Sequence, residues 1–189
     1  MAFYINLDRR TDRRAEIEKE LADNGIVAER FPAIEHTSGI IGCGLSHIAV
    51  LKLARERGYK SVMIFEDDFM FLDTDTSWKT KIPTSYDIVM LAYGEDMPSL
   101  IHDDTFNRVR AVRSTSGYIV HSRFYDTLIA HWEDGVRMLT ETGLHWIYAL
   151  DKYWNELAPF CEWYLFRNKI GKQRPSFSDL ANSFVEYDC

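Results

Sequence analysis

Residues 61–65 read Ser-Val-Met-Ile-Phe, and three acidic residues follow at once: Glu66, Asp67 and Asp68. A strand apolar at nearly every position has no face suited to water, so it must be covered on both sides. Such runs mark the central strands of parallel sheets. Residues 87–91, Asp-Ile-Val-Met-Leu, repeat the pattern. The chain therefore requires helices on both faces of a sheet, and it places a knot of negative charge directly after one inner strand. In open α/β sheets ligands bind beyond the carboxyl ends of the strands.

The rest of the chain fits that frame. Residues 2–7 form a short apolar run that reads as a first strand. Ile17 and Leu21, four apart, give the 11–24 segment one apolar stripe, and Asn24-Gly25 ends that helix with a left-handed cap. Residues 26–31 read as a second strand stopped by Pro32, and 35–44, with Gly39, Gly42 and Gly44, as a loop. The spacing predicts a buried helix over 45–57, closed by Gly58. A polar connection with Pro83 and a short helix leads to the 87–91 strand. Further strands are expected at 118–121 and 161–166, with a helix from near Ser122 and another over 146–157 whose Ile147, Leu150 and Trp154 share a face. The tail from Gly171 is polar and is expected to wrap the surface. Alternating strands and helices without repeats or linkers indicate a single α/β domain with a mostly parallel central sheet flanked by helices. A chain of 189 residues suits one domain and can bury about 70% of its unfolded surface.

A formal net charge of -7 argues against a nucleic-acid partner. Aromatic residues make up 14% of the chain, which serves either core packing or stacking against sugars and bases. Cys43, Cys161 and Cys189 are far apart with no CxxC spacing, so neither a zinc knuckle nor a disulfide framework is indicated, and reduced thiols fit the cytoplasm. Charge begins at Asp8, too early for a signal-peptide core. The most apolar stretch, 40–54, contains His47 and Lys52 and is too short to span a bilayer. The expectation is a cytoplasmic protein or one peripheral to a membrane, without an integral membrane segment.

Adjacent carboxylates repel, and a chain that holds three together usually supplies a cation; hard oxygen donors suit Mg²⁺ or Mn²⁺. Glu66 and Asp68, two apart on an extended segment, face the same side and can converge on a metal-nucleotide complex. A solvated acidic turn is the competing reading. Asn6 and Leu7 end the first strand, and Arg10 and Arg13 belong to an arginine cluster with Arg9 and Arg14. This segment could offer backbone groups to a base and guanidinium forks to phosphates, or it could be a solvated helical turn. No GxGxxG follows the first strand and no GxxxxGK[ST] occurs, which disfavours dinucleotide and P-loop enzymes. Gly42-Cys43-Gly44-Leu45-Ser46-His47 leads into the second helix, where a helix start attracts anions. Ser46 and His47 are candidates to hydrogen-bond a donor phosphate or sugar; a satisfied core histidine is the alternative for His47.

Four segments in order, Phe3-Tyr4-Ile5-Asn6-Leu7-Asp8-Arg9-Arg10 with Asp12-Arg13, Gly42 to His47, Met63-Ile64-Phe65-Glu66-Asp67-Asp68, and Ser116-Gly117-Tyr118-Ile119-Val120, resemble glycosyltransferase family 25. That family includes bacterial lipooligosaccharide galactosyltransferases and collagen hydroxylysine galactosyltransferases. Gln173 and Ser178-Asp179 look like its closing elements. The resemblance implies a GT-A-type fold, a UDP-sugar donor, Mn²⁺ (or Mg²⁺) and inversion at the anomeric carbon. It implies Asp68 and Glu66 as metal ligands, and Asn6, Leu7, Arg10, Arg13, Ser46, His47, Asp67, Ser116, Gly117, Gln173, Ser178 and Asp179 around the donor. It points to Asp151, in Ala149-Leu150-Asp151-Lys152-Tyr153-Trp154, as the base, with Glu141 and Asp134 as rivals. Donor binding then falls in about residues 1–95 and acceptor binding in about 96–189. The acceptor would be a glycan, a lipooligosaccharide or a glycoprotein, and galactose precedes glucose as the expected sugar. Two departures stand out: the family's Ala-Val-Asp-Gly is Ala33-Ile34-Glu35-His36 here, and the chain is short for the family. A metal-dependent nucleotide-sugar phosphohydrolase and a non-catalytic carbohydrate-binding module are the alternative functions.

Overall fold

Every run read above as a strand contains one. The computed structural model describes residues 1–178, 183–186 and 189, with the side chains of 177 and 178 excepted. The first half of the chain comprises β1 (Ala2–Asn6), α1 (Thr11–Asp23), β2 (Ala28–Pro32), α2 (Gly39–Glu56), β3 (Ser61–Glu66), β4 (Phe69–Phe71), β5 (Ile88–Met90) and β6 (Gly94–Met97). It continues through β7 (Leu100–Ile101), β8 (Phe106–Arg108), β9 (Ala111–Arg113), β10 (Gly117–His121), α3 (Tyr125–Thr142), α4 (His145–Tyr148) and α5 (Leu150–Tyr153). The last strands are β11 (Trp163–Phe166), β12 (Gly171–Gln173), β13 (Ser176–Ser178) and β14 (Ser183–Val185).

The main sheet has the order β2-β1-β3-β10-β5-β11-β8-β7. Strand β1 is parallel to β2 and β3, and β5 is parallel to β11. Strand β10 is antiparallel to both neighbours, and β8 is antiparallel to β11 and β7. Most strands of the sheet thus run one way, with β10 and β8 reversed. Alternate side chains serve two separate cores. Phe3, Val62, Ile64, Ile88, Met90 and Trp163 pack with Leu51 of α2 and Leu128 of α3. Tyr4, Phe65, Val89, Leu91 and Tyr164 pack on the other face with Ile17 and Leu21 of α1. Each fully buried large apolar side chain is worth about 1.5–3 kcal/mol, and here both faces of one strand supply them. The aromatic surplus is largely core: Trp132, Trp154 and Trp163 are fully buried, with ring centroids 5.7 Å and 4.7 Å apart along the series.

The connections set up a ligand crevice. From β1 the chain crosses one face through α1 to reach β2; from β2 it crosses the other face through α2 to reach β3, on the far side of β1. Between β1 and β3 the winding direction reverses, and open α/β sheets bind ligands outside the carboxyl ends of strands at such a point.

Four segments differ from the sequence expectation. Helix α2 begins at Gly39, six residues before the expected start. Its glycines serve packing: a Cβ on Gly42 would lie 2.7 Å from the Ile34 carbonyl oxygen, and one on Gly44 would lie 2.9 Å from Val136 Cγ2. The Gly42–Gly44 segment is therefore helix interior and not the anion-attracting helix start. The helix expected over 146–157 is broken, because Ala149 is extended at φ -57° and ψ 143°, and a 3₁₀ segment, Trp154–Phe160, follows α5. Strands β6 to β9 were not foreseen; they are short and partly exposed, and β6 and β9 form a separate antiparallel pair. The tail also enters the fold, with β12 pairing antiparallel to β4.

That pairing helps place Phe69. A Cβ on Gly117 would lie 2.5 Å from Phe69 Cε2, and one on Gly171 would lie 2.2 Å from Phe69 Cζ. Phe69 is fully buried, so its ring has little room to yield. Gly117→Ala is expected to lower unfolding free energy by about 1–3 kcal/mol through overpacking, and Phe69→Leu in that background should recover part of the loss. Urea unfolding of the three proteins checks this; an unchanged Gly117→Ala protein would mean the ring is not confined.

Candidate active site

Where β1 and β3 end side by side, the chain around residues 33–37, the first half of α2 and the β3 end enclose a cleft of about 690 Å³. Asn6, Leu7, Arg13, Ser46, His47, Glu66, Asp67, Asp68 and Gln173 line it. The expected donor and metal residues thus converge in large part on one space.

Each carboxylate of the triplet has its own surroundings. Glu66 Oε1 accepts a hydrogen bond from Thr115 Oγ1 at 2.6 Å and lies 3.2 Å from His47 Nε2. Burial opposes the charge of Glu66, yet these two partners and the Arg13 charge prevail and hold its pKa below the ordinary value. Asp67 accepts from Asn6 Nδ2 at 2.8 Å and from Arg13 Nη1 at 3.0 Å. Burial still raises its pKa. Asp68 Oδ2 lies 3.2 Å from the same Arg13 nitrogen, while Asp68 Oδ1 is buried with no hydrogen-bond partner among the described residues. Burial, then the charge of Glu66, pushes the Asp68 pKa up to about 7. The described residues set Arg13 against three carboxylates. An unsatisfied hard oxygen in a carboxylate cluster open to a cleft fits a divalent cation of the Mg²⁺ or Mn²⁺ type.

Other residues of the set hold the frame. Asn6 also donates to the Arg10 carbonyl and accepts from Arg30, pinning the turn after β1. Ser46 Oγ donates to the Gly42 carbonyl at 2.7 Å and accepts from the Ile34 N–H at 2.8 Å. His47 is fully buried, and its Nδ1 lies 2.7 Å from the Tyr118 hydroxyl. One ring nitrogen thus has a partner in the core, and the second is turned toward Glu66 at the cleft. Arg13 donates to Ser176 Oγ at 2.7 Å besides Asp67 and Asp68, and Arg10 pairs with Asp12 at 2.9 Å. Ser116 Oγ is buried 2.9 Å from Ser114 Oγ, and Gly117 packs under Phe69. Gln173 Oε1 accepts from the Cys189 thiol at 3.1 Å. Ser178 contributes strand backbone in β13, and Asp179 lies outside the described residues.

Asp151, on α5, accepts a hydrogen bond from the Ser114 N–H at 3.1 Å. Ser114 has φ 78°, a left-handed conformation uncommon for a residue other than glycine. Burial raises the Asp151 pKa, the Ser114 hydrogen bond and Lys152 oppose this, and the charge of Glu66 adds to it, so the two carboxylates sense one another. The rivals are placed otherwise. Asp134 accepts from Arg137 at 2.6 Å and from the Tyr153 hydroxyl at 2.7 Å, and exposed Glu141 accepts from Arg137 at 3.1 Å. None of the three, Asp151 included, is among the residues that line the cleft. Sequence reasoning missed Thr115, Ser114 and Cys43. Thr115 adjoins a segment that was singled out, and Cys43 stands four residues before His47, a spacing that shares a helix face.

No protein-family model matches the chain. A Drosophila melanogaster protein named glycosyltransferase 25 family member is 32% identical over 97 residues, covering 36% of this chain and 16% of the relative. A protein of the same name from Drosophila pseudoobscura pseudoobscura is 30% identical over the same shares. The chain thus spans about one sixth of the length of these relatives, and they support the family resemblance carried by the motifs. Among solved structures, A197 from STIV matches with a TM-score of 0.52 and 13% identity, over 87% of this chain and 80% of that one. A glycosyltransferase involved in the glycosylation of the major capsid of PBCV-1 matches with a TM-score of 0.53 and 9% identity, over 87% and 79%. The likeness to these two structures is one of fold, the GT-A-type arrangement.

The carboxylate cluster predicts a pH dependence. Between the ordinary 3.8 and about 7, folded Asp68 retains a proton that the unfolded chain releases. The native state then binds more protons, so its stability falls as pH rises through that window. In EDTA, the melting temperature is expected to drop between about pH 4 and about pH 7. Asp68→Asn should flatten that drop and melt higher at the upper pH; a variant curve as steep as the wild type would remove Asp68 as the cause.

Proposed function

We propose that this chain is an inverting, metal-dependent glycosyltransferase that moves a hexose, galactose in preference to glucose, from a UDP-sugar to a hydroxyl of a glycan, lipooligosaccharide or glycoprotein. The observation that carries this reading is the Asp68 oxygen, buried beside Glu66 and Asp67 without a hydrogen-bond partner among the described residues, in a cleft at the reversal point between β1 and β3. The sequence likeness to family 25 members supports the reaction class.

In this reading Asp68 and Glu66 hold the cation, which when bound neutralises charge on the leaving diphosphate. Asn6 and Arg13 lock Asp67, and it fixes the turn that presents Asp68. Thr115 and His47 fix Glu66. Leu7, Arg9 and Gln173 line the wall available to the nucleotide. Asp151 takes the proton of the acceptor hydroxyl. Its raised pKa suits a base, and the Ser114 N–H holds its other face. A phosphohydrolase would draw further ligands from other strand ends, but Asp87 precedes β5 at the opposite end, bound to Arg123 at 2.7 Å and the Glu162 N–H at 2.7 Å. No helix among the described residues is long and apolar enough to cross a membrane, and the proposed setting is cytoplasmic or peripheral to a membrane.

UDP with Mn²⁺ should raise the melting temperature more than GDP or CMP with the same metal. A ligand at a hundredfold excess over its Kd stabilises by about 2.7 kcal/mol. Asp68→Ala should stay folded, lose the metal-dependent part of that shift and lose transfer. Equal shifts for all three nucleotides, or a folded Asp68→Ala protein of near-normal activity, would defeat the assignment.

Asp151→Asn should keep the UDP and Mn²⁺ shift while transfer falls by about 10²- to 10⁴-fold, the range of general base catalysis. The product from an α-linked donor should carry a β linkage, read from the anomeric proton coupling by NMR. An α product would exclude single displacement. An Asp151→Asn enzyme within about tenfold of wild type would assign the proton to another group.

A further inference from the structure

Cys43 lies on the cleft wall one helical turn before His47, and Glu66 faces the same space. One ligand atom from each of Cys43, His47 and Glu66 lies within 4.8 Å of the others. We propose that these three side chains form a binding site for a thiophilic divalent cation of the Zn²⁺ class, distinct in chemistry from the hard-cation site at Asp68, and that a cation held there withdraws Glu66 from the donor side of the cleft.

The donor set selects the ion. Thiolate, imidazole and one carboxylate suit Zn²⁺, whereas an all-oxygen set suits Mg²⁺ or Mn²⁺. Residues four apart on a helix share a face, so α2 presents Cys43 and His47 together. Tetrahedral bonds of about 2.0–2.3 Å place ligands about 3.5 Å apart. His47 Nε2 and Glu66 Oε1 already stand 3.2 Å apart, and Cys43 needs to approach by only about 1 Å. The supporting contacts are also present. Zinc-bound histidines donate their other ring N–H to a fixed acceptor, and His47 Nδ1 lies 2.7 Å from the Tyr118 oxygen. Thr115 holds the ligating Glu66 oxygen at 2.6 Å. The cleft leaves the fourth position to water.

Protons balance simply. Cys43 is a free thiol. On binding, the thiol releases one proton to solvent. His47 would offer Nε2 to the ion while Nδ1 keeps its contact with the Tyr118 hydroxyl. Glu66 Oε1 cannot serve this ion and the donor complex at once, so the site is inhibitory in the transferase reading, while the binding itself stands on geometry alone.

The test is a Cd²⁺ titration of the full chain after EDTA treatment and desalting, followed by the ultraviolet thiolate-to-cadmium absorption. One Cd²⁺ per chain is expected, with the band abolished in Cys43→Ser and retained in Cys161→Ser and Cys189→Ser. Tyr118→Phe should keep the band and weaken affinity by about tenfold or more, the scale of lost outer contacts. Zn²⁺ should displace Cd²⁺ and excess Mn²⁺ should not. Circular dichroism confirms that each variant is folded, and Cys43→Ala serves if the serine variant is not. A missing band in the wild type, a band that survives loss of the Cys43 thiol, or displacement by Mn²⁺ would overturn the proposal.

Discussion

Carboxylates on three consecutive residues at the end of a buried strand repel one another, and burial removes the water that would screen them. Several elements of the structure answer that repulsion. Helix α1 sends Arg13 to Asp67 and Asp68, β1 sends Asn6 to Asp67, α2 sends His47 toward Glu66, and the segment before β10 sends Thr115 to Glu66. What remains uncompensated is concentrated at Asp68. A site built for stability alone would exchange this cluster for apolar residues, since buried charge is expensive even when paired. Its retention, in the mouth of the main cleft, is the mark of function.

The four sequence segments that resembled family 25 turn out to be mutual neighbours. Glu66 N–H donates to the Ser116 carbonyl at 2.9 Å, so the acidic segment and the Ser116-Gly117-Tyr118 segment share a ladder. Tyr118 reaches His47, His47 reaches Glu66, and Asp67 reaches Asn6. Ser116 and Gly117, expected near the donor, do not line the cleft; the Ser116 carbonyl takes the Glu66 N–H and Gly117 makes room for Phe69. Patterned segments therefore mark a neighbourhood more surely than they mark contacts to a ligand.

Much of the sheet was legible because strands covered on both faces write unbroken apolar runs. Residues 61–65 and 87–91 are runs of this kind. Helix α2 was legible in its body and not in its start, since Gly39, Gly42 and Gly44 have the composition of a loop. What distinguishes them is the approach of Ile34 and Val136, which local pattern does not encode. The break at Ala149 was hidden for the opposite reason: Ile147, Leu150 and Trp154 keep helical spacing across it, although Trp146 and Ile147 are exposed. Strands β6 to β9 carry too few apolar residues to announce themselves. In the site, the acidic triplet was visible as three neighbours in sequence. The partners that tune it are 49 residues away for Thr115 and 19 for His47, and the Ser114 support of Asp151 is 37 away, so only the fold brings them together.

The placement of β10 has a consequence for how the chain assembles. Strand β5 has β10 and β11 as its sheet neighbours, and β10 is also what joins it to β3. As the polypeptide is synthesised, β1, β2 and β3 can pair as soon as they emerge, but β5 must wait for residues that follow it by some 30 to 75 positions, as the pairing of Met90 with Tyr118 and of Ile88 with Trp163 requires. Such non-local pairing is slow and leaves a hydrophobic edge open in the interval. Residues 1–95 and 96–189 are thus bound together in folding, because β10, the strand that joins β3 to β5, is made as part of the second stretch.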